Sequence, residues 1–286
     1  MSNYGFSGEN KKFKPGLHLK LTGGRFYAAV GDMNTRLGSF NNYYRRSYEE
    51  SLSGEIRTIN PWWNHWQLEL LFDFSQRFRL GIGTVSSSLG RNQSAVSYTP
   101  ASIFYIIDHQ VILIPEIRVK TPLQLSLYYS FLSSSRFDIS VYAGTGLYSA
   151  RMREEIIENA IYPDGDVYYN KRSWSVENKS FFIFHAGISA EIDLLRNLAL
   201  VAELQGRYGK LSKLRGTVRY ETNYGTGLTI VESGILHFFG FPDSYYDLDI
   251  PLPYRIGPLP DQYIERNAFL DLSGFSFRIG IKVRLF

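Results

Sequence analysis

From Phe275 to Leu285 every second residue is apolar: Phe275, Phe277, Ile279, Ile281, Val283 and Leu285 alternate with Ser276, Arg278, Gly280, Lys282 and Arg284. Side chains repeat every second residue only on an extended strand, so this pattern fixes a strand with one greasy and one polar face. Seven further segments read the same way. Leu17, Leu19 and Leu21 alternate with His18, Lys20 and Thr22; Trp66, Leu68, Leu70, Phe72 and Phe74 with Gln67, Glu69, Leu71 and Asp73; Phe78, Leu80 and Ile82 with Arg79, Gly81 and Gly83. Leu123 to Phe131, Phe137 to Leu147, Phe182 to Ile192 and Leu198 to Tyr208 complete a set of eight. The last can close onto the first.

The connections alternate in length. Short ones lie at Ser75-Gln76, Ser133 to Arg136 and Asp193 to Asn197, and long ones run from Ala29 to Trp63, Ser87 to Arg118, Arg151 to Lys179 and Leu211 to Ser273. In an up-and-down barrel this puts every short turn at one end and every long loop at the other, with both ends of the barrel chain on the short-turn side.

Alternation alone suits a soluble barrel with an apolar interior as well as a membrane barrel with an apolar exterior. The second face decides. A solvated face calls for charged and β-branched residues, whereas this one carries Gly81, Gly83, Gly144, Gly146, Gly187, Gly209 and Gly280. Repeated glycine on one face marks a crowded place, and the lumen of a narrow barrel is one. Its charges balance across strands: Glu69, Glu191 and Glu203 are available to Lys20, Arg79, Arg207, Arg278, Lys282 and Arg284, with His185 on the same face. Pairing is what makes buried charge tolerable. Aromatic residues gather at the strand ends, with Tyr27, Trp62, Trp63, Trp66, Tyr148 and Tyr208 toward the long loops and Phe74, Phe131 and Phe137 toward the short turns, which predicts two interfacial girdles.

The fold expected is therefore all-β: an eight-stranded antiparallel up-and-down transmembrane β-barrel with long extracellular loops, spanning 16–286 and preceded by an N-terminal periplasmic segment, 1–15. Ten strands are the alternative, because Ala101 to Leu113 and Thr217 to Phe239 are also strand-like. No run of about 18 apolar residues offers a transmembrane helix. Met1 to Pro15 lacks the apolar core and small-residue cleavage site of a secretory signal. Zero Cys among 286 residues removes disulfides, zinc ribbons, iron–sulfur clusters and thiol nucleophiles. A net charge of +4, evenly scattered, gives no footprint for nucleic acid.

With its eight alternating segments, three tight turns, four long loops and the terminal strand Gly274 to Phe286, the chain resembles the small outer-membrane barrels, the OmpA/OmpX-like family in the broad sense. Phe286 departs from the pattern, being out of phase with Leu285 and Val283. The resemblance implies short turns in the periplasm, long loops outside, and outer-membrane lipid, lipopolysaccharide and the barrel-assembly machinery as partners.

Enzymes of this architecture use His with Ser or an acid near the outer rim. His185, Ser189 and Glu191 share a face, but residues four apart on a strand are about 13 Å apart, so a lumen hydrogen-bond network is the plainer reading. His65 lies among Trp62, Trp63 and Trp66, which reads as an interfacial belt; His109 and His237 have no partner identifiable from sequence. In the fourth loop Asp243, Asp247 and Asp249 surround Tyr245 and Tyr246. The EF-hand spacing is absent, so these five residues are loop contact candidates rather than a metal site. No cofactor, metal or catalytic residue is expected. The sequence thus predicts a non-enzymatic surface or envelope protein contacting an extracellular partner through its loops; the alternatives are a narrow channel for small solutes or hydrophobic ligands, and an outer-leaflet lipid-modifying enzyme.

Overall fold

The computed structural model describes residues 14–100, 106–223, 229–240, 254–256 and 264–286. Eight strands form a closed ring: β1 (Gly16–Ala28), β2 (Trp62–Asp73), β3 (Phe78–Arg91), β4 (Asp108–Ser133), β5 (Phe137–Ile161), β6 (Val167–Leu195), β7 (Leu198–Tyr208) and β8 (Gly274–Arg284). Each pairs antiparallel with its sequence neighbours, and β8 pairs with β1 from Ala28↔Gly274 to His18↔Arg284. Every edge within the ring is satisfied, the condition for a sheet to cross hydrocarbon.

The faces sort as alternation requires. Leu19, Leu21, Leu68, Leu70, Phe72, Leu125, Leu127, Ile188, Leu204, Phe277 and Ile279 stand exposed around the outside, while Lys20, Glu69, Gln124, Ser126, Ser189, Glu203 and Arg278 are buried inside. A continuous exposed apolar belt around a polar interior is stable only where the surrounding medium is itself apolar, so the ring spans a membrane.

The ring is eight strands, not ten. Asp108–Leu113 is the upper part of β4, and Arg215–Thr222 pairs with the upper part of β6 (Asn170–Glu177) rather than entering the ring. The Arg151 to Lys179 segment, expected as a loop, is instead strand on either side of a tight turn at 162–166, with Tyr162 donating to the Asp166 carbonyl. At about 3.3 Å per residue the 25 residues of β5 reach ~80 Å before tilt, far more than a ~25 Å apolar band requires. Above the belt β4, β5 and β6 therefore continue as a sheet, widened on one side by Ser94–Tyr98 and Ser53–Glu55 and on the other by Arg215–Thr222 and Thr229–Gly240.

The first long connection also folds. Helix α1 (Asp32–Ser47) follows Gly31, whose φ of 69° lies in the left-handed region that glycine enters cheaply. Asp32 opens the helix and Arg45 and Arg46 close it, each charge complementing the helix dipole. Met33, Leu37 and Tyr44 are buried against Val96, Val111, Leu113, Ile117, Met152, Ile156, Trp174, Val176 and Val218 on the sheet. The result is a head above the membrane whose apolar core runs on into Phe26, Trp63, Tyr148 and Ile183 at the top of the ring.

Candidate functional site

The centre of the ring is a filled lumen. Lys20 on β1 lies 2.5 Å from Glu69 of β2 and 2.6 Å from Glu203 of β7, and donates to the Tyr128 hydroxyl of β4 at 2.7 Å. Tyr128 donates to Glu69 at 2.8 Å. Arg278 of β8 reaches the other oxygen of Glu203 at 2.8 Å and the Tyr142 hydroxyl of β5 at 3.0 Å. The four charged residues are each 0–1% exposed, two cations facing two carboxylates. Desolvating four charges is costly, and only this mutual pairing with added phenol hydrogen bonds offsets it. The tier draws on six of the eight strands, so it fastens the barrel wall across its diameter.

Below it sits a second tier. Arg79 contacts Glu191 at 2.7 Å, Asp138 at 2.5 Å and Asp73 at 3.3 Å; Lys282 pairs with Glu191, and His18 with Asp73 at 2.8 Å. It opens into a cavity of about 190 Å³ at the short-turn mouth. Above the central tier, His185 Nε2 lies 3.0 Å from Ser126 Oγ and 3.1 Å from Gln124, and the Arg207 guanidinium lies 3.9 Å over the ring of Phe26.

Glycine supplies the room. A Cβ at Gly187 would stand 2.7 Å from the Tyr142 hydroxyl, and one at Gly81 would collide with the Glu69 carboxylate. Both sites match the crowded face read from the sequence.

The head stands at the other end, its apolar cluster reaching the inward-facing Phe26, Trp63 and Tyr148 of the ring. Arg36 of α1 pairs with Glu154 of β5, both fully buried, and Trp174 of β6 donates its indole N–H to Glu154 at 2.9 Å. Asp32 receives a two-pronged bond from Arg266 at 2.6 Å on each oxygen and another from the Phe269 amide at 2.9 Å. Asn34 bonds both the amide and the carbonyl of Ile59. Tyr44, Tyr48 and Tyr98 stack together, and His109 meets the Tyr98 hydroxyl at 2.5 Å. Burial pushes the Tyr44 and Tyr98 phenols up, Glu158 adding to the first and Tyr44 to the second, and burial pushes the His109 imidazole down. These contacts hold the shape of the head.

Of the ten expected lumen residues, Lys20, Glu69, Glu203 and Arg278 form one unit, Arg79, Glu191 and Lys282 another, and His185 and Arg207 line the top. Arg284 is the exception. It is exposed at the mouth, because β8 has by then passed the last tier. Of the girdle residues, Trp62, Trp66, Phe74, Phe131, Phe137 and Tyr208 are exposed on the outside, and Tyr27 stacks there on Phe275 at 5.6 Å. Trp63 and Tyr148 are corrections: both are buried. Trp63 follows Trp62 by one residue, which turns it to the opposite face, and Tyr148 is in phase with inward Tyr142 and Gly144.

His65 does not lie in the interfacial belt either; it is buried, edge-on to Phe26 at 5.5 Å. The Ser/His/acid set does not assemble, since Glu191 serves Arg79 and Lys282 while His185 turns to Ser126 and Gln124. Asp243, Tyr245, Tyr246, Asp247 and Asp249 lie outside the described residues, as does most of the 1–15 segment. Sequence reasoning missed Tyr128 and Tyr142. Both lie in the polar phase of their strands and face each other across one rung, which is the available signal.

No protein-family model matches the sequence, and no curated protein matches it. Among solved structures, a major outer membrane protein from Thermus thermophilus is similar over 96% of this chain and 100% of its own, at 10% identity and a TM-score of 0.37. The outer membrane protein OprG from Pseudomonas aeruginosa is similar over 94% of this chain and 96% of its own, at 10% identity and a TM-score of 0.33.

Proposed function

We propose that this is an integral outer-membrane β-barrel protein of non-enzymatic type, whose sealed barrel is a pedestal for a structured extracellular head that contacts partners or braces the envelope. The observation that supports it is the double closure. A neutral ion-pair tier crosses the lumen at Lys20, Glu69, Glu203 and Arg278, and beyond it α1 packs into an apolar cluster that includes the inward-facing Phe26, Trp63, Tyr148 and Ile183. A solute path would have to break both. The strands lifted above the belt then serve as a display surface held away from the bilayer.

The test is electrical and electrophoretic together. Protein refolded into detergent is expected to run as a compact band that shifts on boiling, and to give no steady conductance steps in a planar bilayer. Regular steps from the native protein would replace the pedestal reading with the channel one. A protein folded in plain buffer without a heat shift would overturn the membrane barrel itself.

A further inference from the structure

On the outer wall of β4, β5 and β6 the side chains form a column that can be read rung by rung from the pairing. At the top Arg118, Arg151 and Glu177 lie side by side, and one step lower Lys120 faces Ser149. Beneath come Leu123, Leu147 and Phe182, then Leu125, Thr145 and Phe184, then Leu127, Ala143 and Ala186. The wall thus changes from basic to apolar within two rungs, at the upper limit of the lipid-facing belt.

Two features mark this column. The first is a cluster of like charge. Arg118, Lys120, Arg151 and Lys179 surround a cavity of about 330 Å³, with Glu177 as its one carboxylate among the described residues. Glu177 is already engaged by Arg151 at 3.1 Å and Lys179 at 3.3 Å, and Arg118 meets Glu116 at 3.5 Å. Arg118 and Arg151 are direct cross-strand neighbours, an arrangement that destabilises a sheet when no anion lies between the two charges. Irregularities in the ladder flank the cluster, between Lys120 and Leu123 on β4 and between Asn178 and Phe181 on β6, and bulges of this kind re-aim side chains at sites.

The second feature is a shallow groove lower on the wall, bounded on one side by Leu80 of β3. The short side chains of Ala143 and Thr145 leave a depression of about 530 Å³ walled by Leu80, Leu125, Leu127 and Phe184. From Ser149 beside the cations to Thr145 in the groove is four residues, about 13 Å along the strand. Cations above and an apolar slot below, on one face at that spacing, match a molecule with a phosphorylated head and an acyl chain.

We propose that β4, β5 and β6 carry a binding site for a phosphorylated acyl lipid of the outer leaflet, its phosphate held by Arg118, Lys120, Arg151 and Lys179 and one chain laid along the groove at Ala143 and Thr145. The inference rests on the membrane-barrel reading above. It adds a defined lipid stoichiometry and a defined place.

The experiment uses the full chain refolded in detergent and native mass spectrometry with four probes: bisphosphorylated lipid A, the same lipid without its phosphates, phosphatidylcholine, and inorganic phosphate. Wild type is expected to retain one bisphosphorylated lipid A selectively. R118Q/R151Q is expected to lose at least tenfold in retention and T145W, which fills the groove, severalfold, while K171Q, which removes a cation paired with Glu155 elsewhere on the sheet, is expected to match wild type. Should the double variant not refold, K120Q carries the charge test, with a loss of about threefold expected. Equal retention of the dephosphorylated lipid, or unchanged retention in R118Q/R151Q, overturns the site, and inorganic phosphate displacing lipid A at equal concentration overturns the acyl half. A variant that keeps its heat shift while failing these tests leaves the barrel standing and removes this inference alone.

Discussion

The barrel and the head are built from the same strands with opposite polarity. Along β5, outward residues run Phe137, Val141, Ala143 and Leu147 in the belt and then Arg151 and Arg153 above it, while inward residues run Ser140, Tyr142 and Gly144 and then Met152 and Ile156. The period of two continues without a break; only the chemistry inverts. Each half presents to its surroundings what those surroundings solvate, lipid below and water above. A buried ion pair recurs in both, Lys20 with Glu69 and Glu203 in the barrel and Arg36 with Glu154 in the head, but in the barrel it belongs to a network across the whole lumen and in the head it sits beside the apolar cluster with Trp174 donating to it.

That difference can be broken experimentally. The largest effect is expected from Lys20→Met, which leaves two buried carboxylates facing each other; removing one partner of a buried pair costs about 3–5 kcal/mol. The urea midpoint of the barrel should fall accordingly and the compact unboiled band give way to the shifted one at room temperature. Arg36→Met should cost the head a similar ~3–5 kcal/mol, read as protease cutting within α1, while the barrel band still shifts on boiling. Were both signals to fall together, the two regions would be one cooperative unit.

Adjacent tryptophans give a sharper contrast of faces. Trp63→Ala empties a buried site and is expected to cost about 3–5 kcal/mol, whereas Trp66→Ala removes a side chain 62% exposed to lipid and should cost clearly less in the same urea titration. A smaller effect concerns acid. Burial holds the folded His109 pKa below its ordinary 6.5, with Glu158 and Asp108 opposing. Unfolding therefore takes up a proton below about pH 6.5, so head stability should be flat above that pH and decline as pH drops beneath it. His109→Gln should flatten the decline, measured as the thermal midpoint of the head against pH.

The barrel is legible because a strand repeats every second residue and a narrow lumen admits few side chains: Lys20, Glu69, Glu203 and Arg278 can be placed inside from phase alone. The same rule, applied residue by residue, puts Trp63 and Tyr148 inside as well. Proximity to the loops points to a girdle instead, and at those two residues phase overrides position along the strand. The head is far less legible. Val111, Leu113, Ile117, Met152, Ile156 and Trp174 are apolar on the side that is polar lower down, so a reader following the membrane pattern meets the inversion as noise. Helix α1 carries Asn41, Asn42, Ser39 and two consecutive arginines, a weak helical signature, and is held by contacts from distant segments.

Those contacts carry a kinetic consequence. Helix α1 lies between the first two strands, yet its anchors come from the far end of the chain: Arg36 meets Glu154, 118 residues on, and Asp32 meets Arg266, 234 residues on. Loops of that length close slowly, and Arg266 lies just ahead of β8, the strand that seals the ring. Because Arg266 and β8 are adjacent in the chain, a barrel that has not yet taken up β8 would also be one whose helix α1 lacks its Arg266 anchor and whose outward surface is unfinished.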